Sequence, residues 1–142
     1  MPANPSHFVA GGNINPCRFV KRDVSADHQV LEADANEMVE GIAGESSRLP
    51  PLEGYVTNNY HAIAGEACRV HPANETDVLL EMAATCTAGL RLKSDADGKG
   101  TPIATTGTTI QHFGAIAEEA CTVIGQKIKV RVVIGSERPA LS

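Results

Sequence analysis

Apolar residues along this chain come in short runs that alternate with polar ones, rather than at the three-to-four-residue spacing of a helix face. The clearest run is Lys127 to Val133, where Ile128, Val130 and Val132 fall on one side and Lys127, Lys129 and Arg131 on the other. That period of two marks a half-buried strand. Earlier, Cys17 to Lys21 leads into a polar stretch, Arg22 to Gln29, that suits a hairpin turn, and Val30 to Ala33 and Met38 to Ala43 follow as further apolar runs. The segment from Ala26 to Glu40 is rich in Ala, Glu and Asp, yet Val30, Leu31, Met38 and Val39 make no steady helical stripe. Breaks of Asp, Asn, Gly and Ser at this density predict an all-β fold, a small β-barrel or β-sandwich with little helix.

The two halves of the chain resemble each other. Phe19-Val20-Lys21-Arg22-Asp23 matches Arg91-Leu92-Lys93-Ser94-Asp95, Gly41 to Glu45 matches Ala115 to Glu119, and Ala64 to Val70 matches Ile124 to Val130, in the same order in both halves. Two related strand units are therefore expected, sharing one barrel or sandwich because a single unit would hardly bury its own sheet face. Only the first unit carries a long extra stretch, roughly Ser46 to His61, which is expected to be a surface loop. Its Arg48, Leu49, Leu52, Tyr55 and Tyr60 are candidate contacts within an oligomer or with a partner. Residues 1–12 hold Pro2, Pro5 and Gly11-Gly12 and read as an extended N-terminal arm, with Pro5, Phe8 and Val9 as its candidate binding residues. The remaining boundaries are a β-rich domain over 13–134 and a C-terminal tail over 135–142.

A chain of 142 residues suits one domain and buries roughly 70% of its unfolded surface, enough for a core without disulfides or metals. The net charge is −5, there is no Trp, and only three Phe and two Tyr are present. Nucleic acid is not expected as a partner, since single-strand binders stack bases on rings in a basic groove and duplex binders neutralise phosphates. The apolar runs fall far short of the ~20 residues that cross a bilayer, so no membrane is expected either. The N-terminus lacks a basic segment followed by an apolar one, so synthesis and retention in a cytoplasm are expected. Cys17, Cys68, Cys86 and Cys121 are scattered and are expected to be reduced, buried and metal-free.

Catalytic patterns are missing. There is no phosphate-binding P-loop, dinucleotide fingerprint, GxSxG elbow or HExxH. Asp95-Ala96-Asp97-Gly98-Lys99-Gly100 has alternating carboxylates, but Thr106 stands where a calcium loop needs its closing acid. A hairpin turn accounts for it. The five histidines are dispersed, and Glu118 and Glu119 would point to opposite faces of a strand. The expectation is no enzyme, no cofactor and no metal.

The order of the pieces resembles a known family. Asn15-Pro16-Cys17-Arg18-Phe19-Val20-Lys21, then Gly41-Ile42-Ala43, then Ala64 to Val70 are followed by Thr87 to Gly100, Gly114 to Ala120 and the strand through Val133. Over roughly residues 13–134 this is similar to capsid decoration, or cement, proteins of tailed bacteriophages. No single motif is specific; the likeness lies in their order. The resemblance implies a homotrimer at three-fold and quasi-three-fold sites on the outer capsid surface of the virion, clamping neighbouring major capsid proteins and carrying no catalytic residues. It also implies binding through an N-terminal arm and exposed loops. Other classes compatible with a small β scaffold are a phage tail, fibre or carbohydrate-binding module, which low aromatic content disfavours, and a trimeric nucleotide hydrolase, which lacks a polar constellation here.

Overall fold

A computed structural model describes residues 7–45 and 60–138, and among them all regular structure is β. Five strands come from the first half: β1 (His7–Ala10), β2 (Phe19–Arg22), β3 (Gln29–Glu32), β4 (Gly41–Ala43) and β5 (Ala67–His71). They close into a barrel in the order β1-β3-β2-β4-β5, with β5 returning to β1. The second half supplies β6 (Val78–Glu81), β7 (Arg91–Ser94), β8 (Gly100–Pro102), β9 (Gln111–Ala117) and β10 (Lys127–Glu137), in a sheet ordered β6-β10-β9-β7-β8. Written from the other edge, β8-β7-β9-β10-β6 repeats β3-β2-β4-β5-β1. The chain is thus one five-strand unit used twice.

The duplication extends to single hydrogen bonds. Ala43 N–H donates to Arg18 O and Ala117 N–H to Leu90 O; Gly44 N–H donates to Arg69 O and Glu118 N–H to Lys129 O. The isolated bridges Ile14–Ala62 and Cys86–Cys121 are equivalent, and so are the left-handed residues Gly65 and Gly125. Cys17 (φ 58°) occupies the left-handed position that Gly89 (φ 92°) holds in the second unit. Glycine takes that conformation freely and a cysteine does so under strain.

The small β fold of two related strand units is present; the first unit closes round an interior of its own, whereas the core of the second also takes in residues of the first. In the first, Phe8, Ala10, Ile14, Val20, Val30, Ala43, Ala62, Cys68 and Val70 form a separate cluster. Three alanines and a cysteine among nine residues keep the interior narrow enough for five short strands to close around it. The second interior fills the matching positions differently, with Leu80 for Phe8, Met82 for Ala10 and Gly100 for Val30. A Cβ at Gly100 would come within 2.6 Å of Leu80 and 2.8 Å of Met82, so glycine there makes room for the methionine. Ile128, Val130 and Val132 are fully buried and Lys127, Lys129 and Arg131 exposed, as the alternation predicts.

Two boundaries move. From residue 7 onward the N-terminal segment is not an arm: β1 lies between β5, antiparallel with Phe8 opposite Cys68, and β3, parallel with Ala10 opposite Val30. Phe8 and Ala10 alternate inward, so the strand pattern was present but only four residues long. The C-terminal boundary moves too, because β10 continues past a bulge and pairs Gly135 with Phe113 and Glu137 with Gln111.

Between the units, Phe19, Ala33, Val39 and Ile42 face out from the first barrel and join the core of the second. The segment Cys17–Phe19 wedges into the seam between β6 and β8. Glu81 N–H donates to Cys17 O, and Phe19 N–H to Gly98 O at 2.7 Å. In the first barrel the same seam is shut by Val9 N–H donating to His28 O.

Candidate binding surface

The sequence-selected contact residues separate into distinct environments. Phe8 is an interior residue of the first barrel, with the Arg22 guanidinium 5.3 Å over its ring, so it cannot anchor a mobile arm. Val9, its neighbour on β1, points outward and is 40% exposed. Pro5, Arg48, Leu49, Leu52 and Tyr55 lie outside the described residues. Tyr60 is half-buried where the chain returns from the insertion.

His61 is the residue that sequence reasoning passed over. It is buried, its Nδ1 lies 2.6 Å from Glu45 O, and its Nε2 accepts the Arg69 N–H at 2.8 Å. Since Nε2 must be an acceptor, Nδ1 carries the proton and donates to Glu45. Glu45 immediately precedes the insertion and His61 ends it, so one imidazole ties both ends of the insertion to β5. Gly44 leaves the space: a Cβ there would sit 3.0 Å from the imidazole. Replacing His61 with Ala is expected to cost roughly 1–3 kcal/mol, because it removes a buried imidazole and leaves the Arg69 N–H without its acceptor. Urea unfolding checks this, and an unchanged midpoint would mean the tie carries no stability.

The polar side chains that invited a chemical reading are engaged with the main chain. Asp95 Oδ1 accepts the N–H groups of Asp97 and Lys99, closing the β7–β8 hairpin that the Asp-Gly pattern predicts. Glu118 accepts the Asp77 N–H and Glu119 the Lys129 N–H. His112, on β9, has Nδ1 2.6 Å from Ser136 Oγ. A groove lined by Lys21, Arg22, Glu37, Met38, Glu40 and His112 has its charges internally matched. Lys21 Nζ meets Glu37 at 2.9 Å and Asp34 at 3.2 Å, and Arg22 meets Glu40 at 3.1 Å. The hydrogen bond to Glu37 raises the Lys21 pKa, and the bonds from Ser25 lower that of Asp23. The charges of this patch are thus paired with one another.

All four cysteines are buried free thiols. Burial raises Cys17 to about 11 and Cys68 to about 12, and raises Cys86 as well. Thiols held neutral in this way are poor nucleophiles and poor metal ligands at neutral pH. Among the described residues no group of three or more His, Cys, Asp or Glu is placed to hold a metal ion. No helix there is long and apolar enough to cross a membrane.

No family model matches the chain, and no curated protein matches it.

Proposed function

We propose that this chain is a structural, non-enzymatic protein of a tailed-phage virion, which decorates the outer capsid surface as a homotrimer and clamps neighbouring major capsid proteins. The observation that carries the reading is the duplicated β unit with a single insertion tied at its base by His61. A closed barrel packed on a related five-stranded sheet, with one insertion rooted at its base, is suited to bridging subunits, and the order of sequence pieces resembles that of decoration proteins. The salt-bridged and main-chain-bonded state of the candidate acids supports a binding role over catalysis.

The physical logic is mass action. A protein that binds the assembled, expanded shell and not its separated subunits stabilises the shell by its binding free energy. Three linked copies turn weak single contacts into a retained clamp. Residues 7–10 belong to the barrel, so any test of an N-terminal contact is confined to residues 2–6.

Adding purified protein to undecorated expanded heads should give saturable binding, three-fold clusters in a cryo-EM map, and heads that break at higher temperature. A chain lacking residues 47–58 should keep its strand spectrum and show lower occupancy. A map without three-fold clustering, or heads that the protein neither binds nor stabilises, would refute the proposal.

A further inference from the structure

The duplication has a consequence for surfaces, because the first unit uses a face that the second unit leaves open. Within the chain, the outer face of the first unit around Arg18, Phe19 and Ala33 is covered by the turn end of the second. There Arg18 reaches Glu81 at 3.5 Å and the Asp97 carbonyl at 3.1 Å. Two surfaces equivalent to these remain: the outer face of the second unit, and the turn end of the first. We propose that they bind each other between copies of this chain, repeating head to tail the contact that joins the two units and closing into a ring of three.

Side-chain identities support the pairing. The bond Ala43 N–H to Arg18 O matches Ala117 N–H to Leu90 O, so Leu90 stands where Arg18 does. The parallel pair Ala10–Val30 matches Met82–Gly100, so Val9 stands where Glu81 does. The ion pair of the internal contact is thus replaced, on both open surfaces together, by an apolar pair. Val9 and Leu90 are each 40% exposed. A solvated surface with no partner gives no reason for both members to change character together, whereas a mating surface does.

Other exposed apolar residues agree. On the turn end of the first unit, Val24 is 98% exposed in the β2–β3 turn and Met38 is 67% exposed before β4. On the face of the second unit, Leu90 and Ile103 line a cleft, while Ile110, 48% exposed, adjoins the first unit instead, its carbonyl accepting from Asn36 Nδ2. Single exposed hydrophobes need no explanation, but their gathering on two surfaces that the repeat already relates does. The remaining large exposed hydrophobes among the described residues, Val123 and Ile124, sit on the β9–β10 connection.

The intermolecular contact differs from the internal one in one respect. Val9 N–H and His28 O already satisfy each other, so no backbone segment inserts into that seam, and side-chain burial replaces the two main-chain bonds. A head-to-tail contact closes into a ring or grows into a filament according to its rotation; three copies place six units in the ring. The proposal rests on the self-association half of the function proposed above and not on its capsid half, so it is tested with no capsid present.

Sedimentation of the full chain from micromolar to millimolar concentration should show a trimer. Val9→Glu and Leu90→Arg should each keep the strand spectrum and weaken association at least about tenfold. The double variant, which installs between copies the pair found between units, should restore the trimer and make it salt-sensitive. A wild-type monomer at millimolar concentration, single variants that associate like wild type, or a double variant that stays dissociated would each overturn the contact. Growth into open polymers would overturn the closed ring.

Discussion

Replacing Phe19 with Ala is expected to destabilise the protein by about 3–5 kcal/mol, the range for emptying a buried aromatic site. Phe19 is fully buried at the junction of the two units. Its ring fills the hollow above Gly114, where a Cβ would lie 2.7 Å from the ring and 2.4 Å from Val39. Alanine keeps the N–H that donates to Gly98, so the loss isolates packing from main-chain bonding. Because Phe19 comes from the first unit and is buried in the core of the second, the variant should also lose cooperativity and separate one calorimetric transition into two. A loss below about 1 kcal/mol with a single transition would show that the junction collapses around the missing ring or does not depend on it.

Raising the pH should unfold the first unit through its thiols. In the unfolded chain Cys17 and Cys68 begin to ionise near 9.0, but in the folded state not until about 11 and about 12, because burial disfavours the thiolate. The folded state therefore holds protons that the unfolded state releases. Stability from these groups is fully present below pH 9.0 and declines as pH climbs through 11 to 12. Each thiol contributes a slope of about 1.4 kcal/mol per pH unit across its own window. Urea midpoints measured across this range should fall steeply for the wild type and less steeply for Cys17→Ala and Cys68→Ala. Lysine and tyrosine ionisation is common to all three proteins and cancels in the comparison. Equal slopes would show that these thiols ionise alike folded and unfolded.

Much of the architecture was readable because it is written in local alternation. Ile128, Val130 and Val132 announce β10, and the polar turns at Arg22–Gln29 and Asp95–Gly100 announce two hairpins in matching places. The three matched segments located β2 and β7, β4 and β9, and β5 and β10. What failed was non-local. β1 is four residues between Pro5 and Gly11-Gly12, and what makes it a strand is a parallel partner, β3, and an antiparallel one, β5, far along the chain. No local pattern encodes either pairing. His61 was missed for a similar reason, since an isolated histidine shows its role only once Glu45 and Arg69 are beside it. The apolar pair Val9 and Leu90 could not be recognised before bond-by-bond correspondence placed each residue opposite its counterpart. Cys17 in a left-handed conformation gave no warning at all in the sequence.

The seam between β6 and β8 makes the folding of this chain directional. The first unit completes itself, with Val9 N–H bonded to His28 O. The second takes one edge of its closure from outside, through Cys17 O and Phe19 N–H. On the ribosome the self-sufficient barrel emerges ahead of β6 to β10, and the nascent second unit then assembles against it as a template. Reversing the order of the two units in a permuted gene would leave the dependent one waiting, its seam unfilled and its strand edges open to other chains, until its template was made.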